Sequence, residues 1–210
     1  MLNISVFGSG RGSNFEAILN AMNAGLLPGA RIGLVLSNNS TAGILEIARA
    51  HAIPAAHISE KQYASEEAFV DALLAALYAH DTGLIVLAGY MKRLPARVVA
   101  TYRHRIINVH PALLPDFGGQ GFFGIHVHEA VLAAGRTVSG ATVHIVDNEY
   151  DHGAIVLQEQ VPVLPDDTPA TLAERVLQVE HRILPEAIRL FAEQRVAVVD
   201  GNIRIGLAQE

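Results

Sequence analysis

The feature that most constrains this chain is the regular exchange, through its first half, of short β-rich apolar runs with longer stretches of helical apolar spacing. That alternation specifies parallel strands joined by crossover helices, because each strand must return to the same end of the sheet before the next begins. Strands are expected at Asn3 to Phe7, Arg31 to Ser37, Pro54 to His57, Gly83 to Ala88 and Arg105 to Asn108. Helical spacing fills the intervals: a helix capped by Ser13 or Asn14, another over Thr41 to Ala50, and a third over Ser65 to Ala79. The fold class is α/β, a doubly wound and mostly parallel twisted sheet.

After Pro111 the pattern changes. A glycine-rich loop, Leu113 to Gly124, precedes a short helix near Val127 to Ala134, and two β runs follow, Ser139 to Asp147 and Ala154 to Val163. Joined by only a short polar loop, these two are expected to pair antiparallel at the edge of the sheet. A long helix opens at Thr168-Pro169, since proline is accommodated in a first turn, and its apolar spacing runs to Phe191. The chain then reads as a hairpin around Asp200-Gly201.

Composition narrows the function. Half of the 210 residues are hydrophobic, enough for one large core, and 15 Lys and Arg against 21 Asp and Glu give a net charge of -6. With no basic run, a nucleic-acid groove is not expected. There is no cysteine, hence no disulfide framework, thiolate metal site or Cys nucleophile. Met1 to Gly8 lacks the charged leader of a signal peptide, and no apolar stretch approaches the roughly 20 residues that cross a bilayer. The expectation is a cytoplasmic protein without a membrane partner.

Three stretches carry the polar chemistry. Phe7-Gly-Ser-Gly-Arg-Gly-Ser-Asn14 lies between the first strand and first helix, where glycines admit a ligand close to the backbone and helix N–H groups attract an anion. Its spacing is not the G-x-G-x-x-G of a dinucleotide site, and the second strand ends in Leu36-Ser-Asn-Asn39 without a ribose-binding acid. Packing glycines in a tight turn are the alternative; a phosphorylated small molecule is the reading preferred. In Asn108-Val-His110 the two polar side chains share one face of a strand at its carboxyl end, the end where ligands bind in a parallel sheet. There they either cap a turn and fill a core position or stabilise a developing oxyanion. Asp147-Asn-Glu-Tyr-Asp-His-Gly153 is either a polar hairpin loop or the source of a carboxylate for His110.

Other polar residues are read more plainly. His126-Val-His128 lacks a third ligand at motif spacing, so no metal is expected. Met91-Lys-Arg-Leu-Pro95 is either a solvated basic turn or a pocket rim, and Glu180-His181 reads as an exposed charged pair.

Taken as a set, Asn108-Val-His-Pro with Leu113-Leu-Pro, and then Gly140-Ala-Thr-Val-His-Ile-Val-Asp-Asn-Glu-Tyr-Asp-His-Gly153, resemble the folate-dependent formyltransferase family. With Gly8-Ser-Gly-Arg-Gly-Ser-Asn14 the chain is similar to the branch that formylates glycinamide ribonucleotide, over Asn3 to about Phe191. The resemblance implies a Rossmann-like formyltransferase fold in a single domain, 1–210, with a phosphate-substrate half over 1–108 and a folate-binding and catalytic half over 109–210. It implies that Gly12, Ser13 and Asn14 bind the substrate phosphate, that Glu180 contacts the ribose hydroxyls, and that Asn108, His110 and Asp151 are catalytic. Met91, Lys92, Arg93 and Leu94, with Asp147, Asn148 and Asp151, would border the pterin of the co-substrate 10-formyltetrahydrofolate. Asp151 would hold His110 protonated beside the oxyanion. No metal is required, the partners are small molecules, and a monomer or homodimer is expected.

The segment Asp116 to His128 departs from the family by being longer than in some members, and Gln120 stands where the longer variant carries lysine. Formyltetrahydrofolate hydrolases and methionyl-tRNA formyltransferases resemble this core but carry an added domain, for which this length leaves no room. A non-catalytic binder of a phosphorylated metabolite is the rival from another class.

Overall fold

The computed structural model describes residues 1–206. Seven strands form one sheet in the order β3-β2-β1-β4-β5-β6-β7: β1 is Leu2–Phe7, β2 Ala30–Ser37, β3 Ala55–His57, β4 Leu84–Leu87, β5 Ile106–His110, β6 Val138–Ile145 and β7 Ile155–Pro162. A separate hairpin pairs β8, Val196–Val199, with β9, Asn202–Ile205. The chain divides into two compact units, Met1–Ile107 and the part from Asn108 onward.

In the first unit β1 pairs parallel with β2 and with β4, and β2 pairs parallel with β3. The sheet therefore grows in both directions from β1, which makes the gap between β1 and β4 the point where the strand order reverses. Ile4, Val6 and Phe7 of β1, Val35 and Leu36 of β2, and Ile85 and Val86 of β4 are fully buried, as expected of strands covered by helices on both faces. The crossovers carry α1 (Ser13–Asn23), α2 (Gly43–Ala50) and α3 (Glu66–Ala79). On α1 the buried Phe15, Ile18 and Leu19 form the core stripe, and the helix ends on Gly25 with the paired bonds Leu26 N–H to Ala21 O and Gly25 N–H to Met22 O. The side chain of Ser65 accepts the Ala68 N–H at 3.2 Å and caps α3 where the sequence places it.

One expectation needs correction here, and one element is added. Gly12, at φ 95, is the N-cap of α1, so Ser13 and Asn14 lie inside the first turn. A short helix, α4 (Ala96–Thr101), follows Pro95 in a stretch to which sequence spacing assigns no element. Val98, Val99 and Thr101 disfavour a helix by propensity, and the burial of Val98 and Val99 outweighs that preference.

In the second unit β6 and β7 run antiparallel, with Thr142 opposite Gln158. β6 is buried along nearly its whole length, whereas β7, at the edge of the sheet, is buried only at Val156 and Val161 and is otherwise half-buried or exposed. Helix α5 (Ile125–Ala133) begins after Gly124, and α6 (Pro169–Ala192) opens on a Thr168 cap with Pro169 in its first turn. β5 extends to His110, two residues beyond its expected end, so Asn108 and His110 are both strand residues.

Candidate active site

The loop leaving β1 is shaped by packing. A Cβ on Gly8 would meet Ile44 Cδ1 at 2.7 Å, and one on Gly12 would lie 3.0 Å from Ile44 Cα. Gly12 adds a left-handed φ, so both space and conformation demand glycine there. From α2 the Ile44 N–H donates to Gly10 O at 3.2 Å and pins the loop. No side chain caps α1, which leaves its first turn suited to an anion. Ser13 is half-buried and Asn14 buried. In the same unit Met91, Lys92 and Arg93 are exposed, and Leu94 is buried.

The second unit brings the strand pair of β5 onto one carboxylate. Asn108 Nδ2 lies 3.4 Å from Asp151 Oδ1, and His110 Nδ1 lies 3.6 Å from Asp151 Oδ2. A third side chain, not assigned a role from sequence, joins them. His144 of β6 places Nε2 3.1 Å from Asn108 Nδ2 and 3.4 Å from Asp151 Oδ1, while its Nδ1 donates to Ile145 O at 2.9 Å. The backbone bond fixes the ring, and the ring orients the amide and the acid. The signal was present: Thr142 and His144 are polar at i and i+2 on one strand, the same spacing that singled out Asn108 and His110.

Asp151 sits at φ 53, a left-handed conformation unusual for a non-glycine residue, and its Oδ2 accepts the Gly119 N–H at 3.0 Å. Burial pushes its pKa up, but the His144 ring, the His110 ring and the Gly119 N–H together outweigh burial and hold the carboxyl below its ordinary value. For His110 the balance goes the other way. Burial lowers its pKa, and neither Asp151 nor the Phe117 carbonyl, which accepts the ring's Nε2–H at 2.8 Å, lifts it back. This balance runs against the expectation that Asp151 holds His110 protonated, because burial favours the neutral ring. At 3.6 Å the Nδ1 to carboxylate approach is too long for the hydrogen bond that could have offset desolvation.

The turn after β5 is tied to the sheet. Buried Thr142 Oγ1 donates to Ala112 O at 2.6 Å and accepts from Leu114 N–H at 3.1 Å, and Gln158 Nε2 donates to both Leu114 O and Thr142 Oγ1 at 2.9 Å. These bonds hold Pro111 to Pro115 against β6 and β7, which fixes the strand end that carries His110.

The remaining candidates divide. Glu180 is buried on α6, against the expectation of an exposed pair. Asp147 accepts from Glu149 N–H at 2.8 Å and pairs with His152 at 3.1 Å, so its carboxylate is engaged in shaping its own loop. Asn148 is exposed beside it. On α5 the alternation of His126 and His128 places them on different faces: His126 is exposed and pairs with Glu129 at 2.9 Å, whereas His128 is buried, its Nδ1 without a hydrogen-bond partner. Burial and the nearby His110 lower the His128 pKa to about 4. Among the described residues no group of three or more His, Cys, Asp or Glu could hold a metal ion, and no helix is long and apolar enough to cross a membrane.

A family model described as formyl transferase matches residues 2–188. The chain is 40% identical over 194 residues to the chloroplastic phosphoribosylglycinamide formyltransferase of Arabidopsis thaliana, across 92% of this chain and 66% of that protein. To the phosphoribosylglycinamide formyltransferase of Haemophilus influenzae it is 36% identical over 200 residues, across 95% of this chain and 92% of the other. Among solved structures, glycinamide ribonucleotide transformylase 1 from Symbiobacterium toebii superposes with a TM-score of 0.90 at 41% identity, covering 98% of this chain and 94% of that one. The chain thus spans just under two thirds of the plant relative and nearly the full length of both bacterial ones. With a family model matched along nearly its whole length and a cluster of Asn108, His110 and Asp151 at its second-unit strand ends, the chain belongs to the formyl transferase family.

Proposed function

We propose that this chain transfers the formyl group of 10-formyltetrahydrofolate to the amine of N1-(5-phospho-D-ribosyl)glycinamide, releasing the N2-formyl product and tetrahydrofolate, in purine biosynthesis. The observation that carries the reading is the convergence of Asn108, His110 and His144 on the single carboxylate of Asp151. Relatives of matching length named for this reaction support the choice of acceptor. The setting proposed is cytoplasmic, with small-molecule partners only, in a monomer or homodimer.

The substrate amine attacks the formyl carbon, a C–N bond forms, and the carbonyl oxygen becomes an oxyanion. Asn108 and His110 offer N–H donors to it, and each good donor contributes about 3 kcal/mol where charge develops. His110 does so as a neutral ring, exchanging its bond to the Phe117 carbonyl for one to the oxyanion. The C–N bond to the folate then breaks, and the proton lost by the amine passes to the folate nitrogen. Asp151, ionised and adjacent to His110 Nδ1, stabilises that proton in transit. Two donors and one carboxylate supply all of the charge handling, and no step is assigned to a metal. Gly12, Ser13 and Asn14 take the phosphate and Glu180 the ribose hydroxyls. Met91, Lys92, Arg93 and Leu94, with Asp147, Asn148 and Asp151, are assigned to the folate.

The test is an absorbance assay of folate product with glycinamide ribonucleotide present or omitted. Product that forms only with the acceptor supports transfer. Equal rates without it would identify a hydrolase, and no turnover in either arm would leave a binder.

A further inference from the structure

Ser9 stands at the exit of β1, and its polar atoms are committed to the loops on both sides. Its N–H donates to Gly89 O at 3.0 Å, its hydroxyl donates to Asn38 Oδ1 at 2.5 Å, and the same oxygen accepts the Met91 N–H at 2.8 Å. Asn38 follows β2, and Gly89 and Met91 follow β4. The last ladder bonds of the sheet here are Gly8 N–H to Leu36 O at 3.0 Å and Ala88 N–H to Phe7 O at 2.8 Å. Beyond them one hydroxyl continues the lateral connection across three strand ends. A hydroxyl suits the place because it alone combines one proton with acceptor lone pairs in so small a side chain.

The loop after β2 and the anion loop are ordered in their own right. Asn39 N–H donates to Ser37 Oγ at 3.0 Å, Thr41 N–H donates to Asn39 Oδ1 at 3.2 Å, and Gly10 O is held by the Ile44 N–H. Ser9 therefore ties the segment that begins at Met91 to two ordered loops.

We infer that Ser9 is a positioning residue that sets the spacing between the anion loop, Gly10 to Asn14, and the segment from Met91 to Leu94, so that binding of the phosphorylated acceptor and of the folate depends on one hydroxyl. The inference rests on the proposed function, which gives those segments to those substrates. Without the hydroxyl, Met91 N–H and Asn38 Oδ1 lose their shared partner, and only the backbone bond from Ser9 N–H to Gly89 O still ties the strand exits together. The hydroxyl's partners, Asn38 and Met91, are not among Asn108, His110 and Asp151, so the reacting groups keep their own hydrogen bonds once both substrates are bound.

Steady-state kinetics of Ser9→Ala and Ser9→Thr, varying each substrate with the other saturating, test this. Loss of a hydrogen bond of ordinary strength predicts that Ser9→Ala raises both KM values about three- to tenfold, with kcat held within about twofold. Ser9→Thr, which keeps the hydroxyl, is expected to restore both. Unchanged KM values, a rise in only one, or failure of threonine to restore them overturns the inference. Should Ser9→Ala not fold, Asn38→Ala removes the acceptor alone and must raise the same two constants. A wild type without acceptor-dependent transfer overturns the proposed function instead. The latch is then read by hydrogen exchange at the Met91 amide, where equal protection in wild type and Ser9→Ala overturns it.

Discussion

Nδ1 of His110 lies 3.6 Å from Oδ2 of Asp151, close enough to feel its charge and too far to share a hydrogen bond with it. The ring's other nitrogen is occupied by the Phe117 carbonyl, so a neutral His110 turns a lone pair toward the carboxylate. A proton placed on Nδ1 converts that opposition into an ion pair. The arrangement is poised to receive charge during reaction rather than to hold it beforehand.

Replacing the acid should remove this response. Asp151→Asn is nearly isosteric and keeps one oxygen to accept the Gly119 N–H, yet it takes away the charge that stabilises a proton at His110. We expect kcat to fall roughly 100-fold or more, the scale of losing a charge-stabilising group in a water-poor site, with the KM of the phosphorylated acceptor changed little. The assay is steady-state turnover; a variant within a few-fold of wild type would remove Asp151 from the mechanism.

The pH profile follows from the same balance. The working form pairs a neutral His110 with an ionised Asp151. His110 is held below its ordinary 6.5 and Asp151 below its ordinary 3.8, so protonation of either as pH falls abolishes that form. The acid limb of kcat/KM is therefore expected below pH 6.5, with a plateau from there through neutrality. In Asp151→Asn the His110 ring, followed by NMR, should titrate lower still, because the charge that lifts it is gone. An acid limb centred at or above 6.5 would count against a neutral resting ring.

Much of the site was legible because a strand has only two faces. Asn108 and His110, two apart, had to point together, and they do so toward one carboxylate. Applied to Thr142 and His144, the same rule would have found the ring that orients Asp151 and the hydroxyl that ties down the turn after β5. His128 was obscured because its alternation with His126 looks strand-like. On a helix, two residues apart means nearly opposite faces, and only packing could say which histidine faces inward. Ser9 was hidden for another reason: its partners, Asn38 and Met91, lie 29 and 82 residues away and meet it only through the parallel order of three strands. Helix α4 was missed because burial of two valines overrode their local preference.

Two glycines near Asp151 separate stability from geometry. A Cβ on Gly153 would overlap the carbonyl oxygen of Ile145, a backbone atom that cannot give way without moving β6. Gly153→Ala is expected to cost roughly 2–4 kcal/mol in chemical denaturation, at the upper end of overpacking in a tight site. At Gly118 the nearest atoms to an added Cβ are Leu114 Cδ2 at 2.5 Å, the tip of a flexible side chain, and Asp151 Cβ at 3.1 Å. Gly118→Ala should therefore fold with nearly normal stability and lose turnover about 10- to 100-fold as Asp151 is displaced, the sensitivity typical of small misplacements in a site. Comparable stability losses in the two variants would refute this distinction.

His128 should make the folded state sensitive to mild acid. The ring is buried, its Nδ1 is unpartnered, and its pKa falls from 6.5 to about 4 in the folded chain. Between those values the unfolded chain binds the proton more readily, so stability rises with pH across the window. The contribution is complete above pH 6.5 and is lost as pH falls toward 4. A difference of about 2.5 units at about 1.36 kcal/mol each puts the loss on the order of 3 kcal/mol. His110 titrates in the same direction and contributes in wild type and variant alike. His128→Gln removes one titrating group and should flatten the fall in denaturation free energy between pH 7 and pH 4, whatever its stability at neutral pH. Equal slopes for wild type and variant, measured by urea denaturation at half-unit intervals, would show that His128 takes up its proton without opposing the fold.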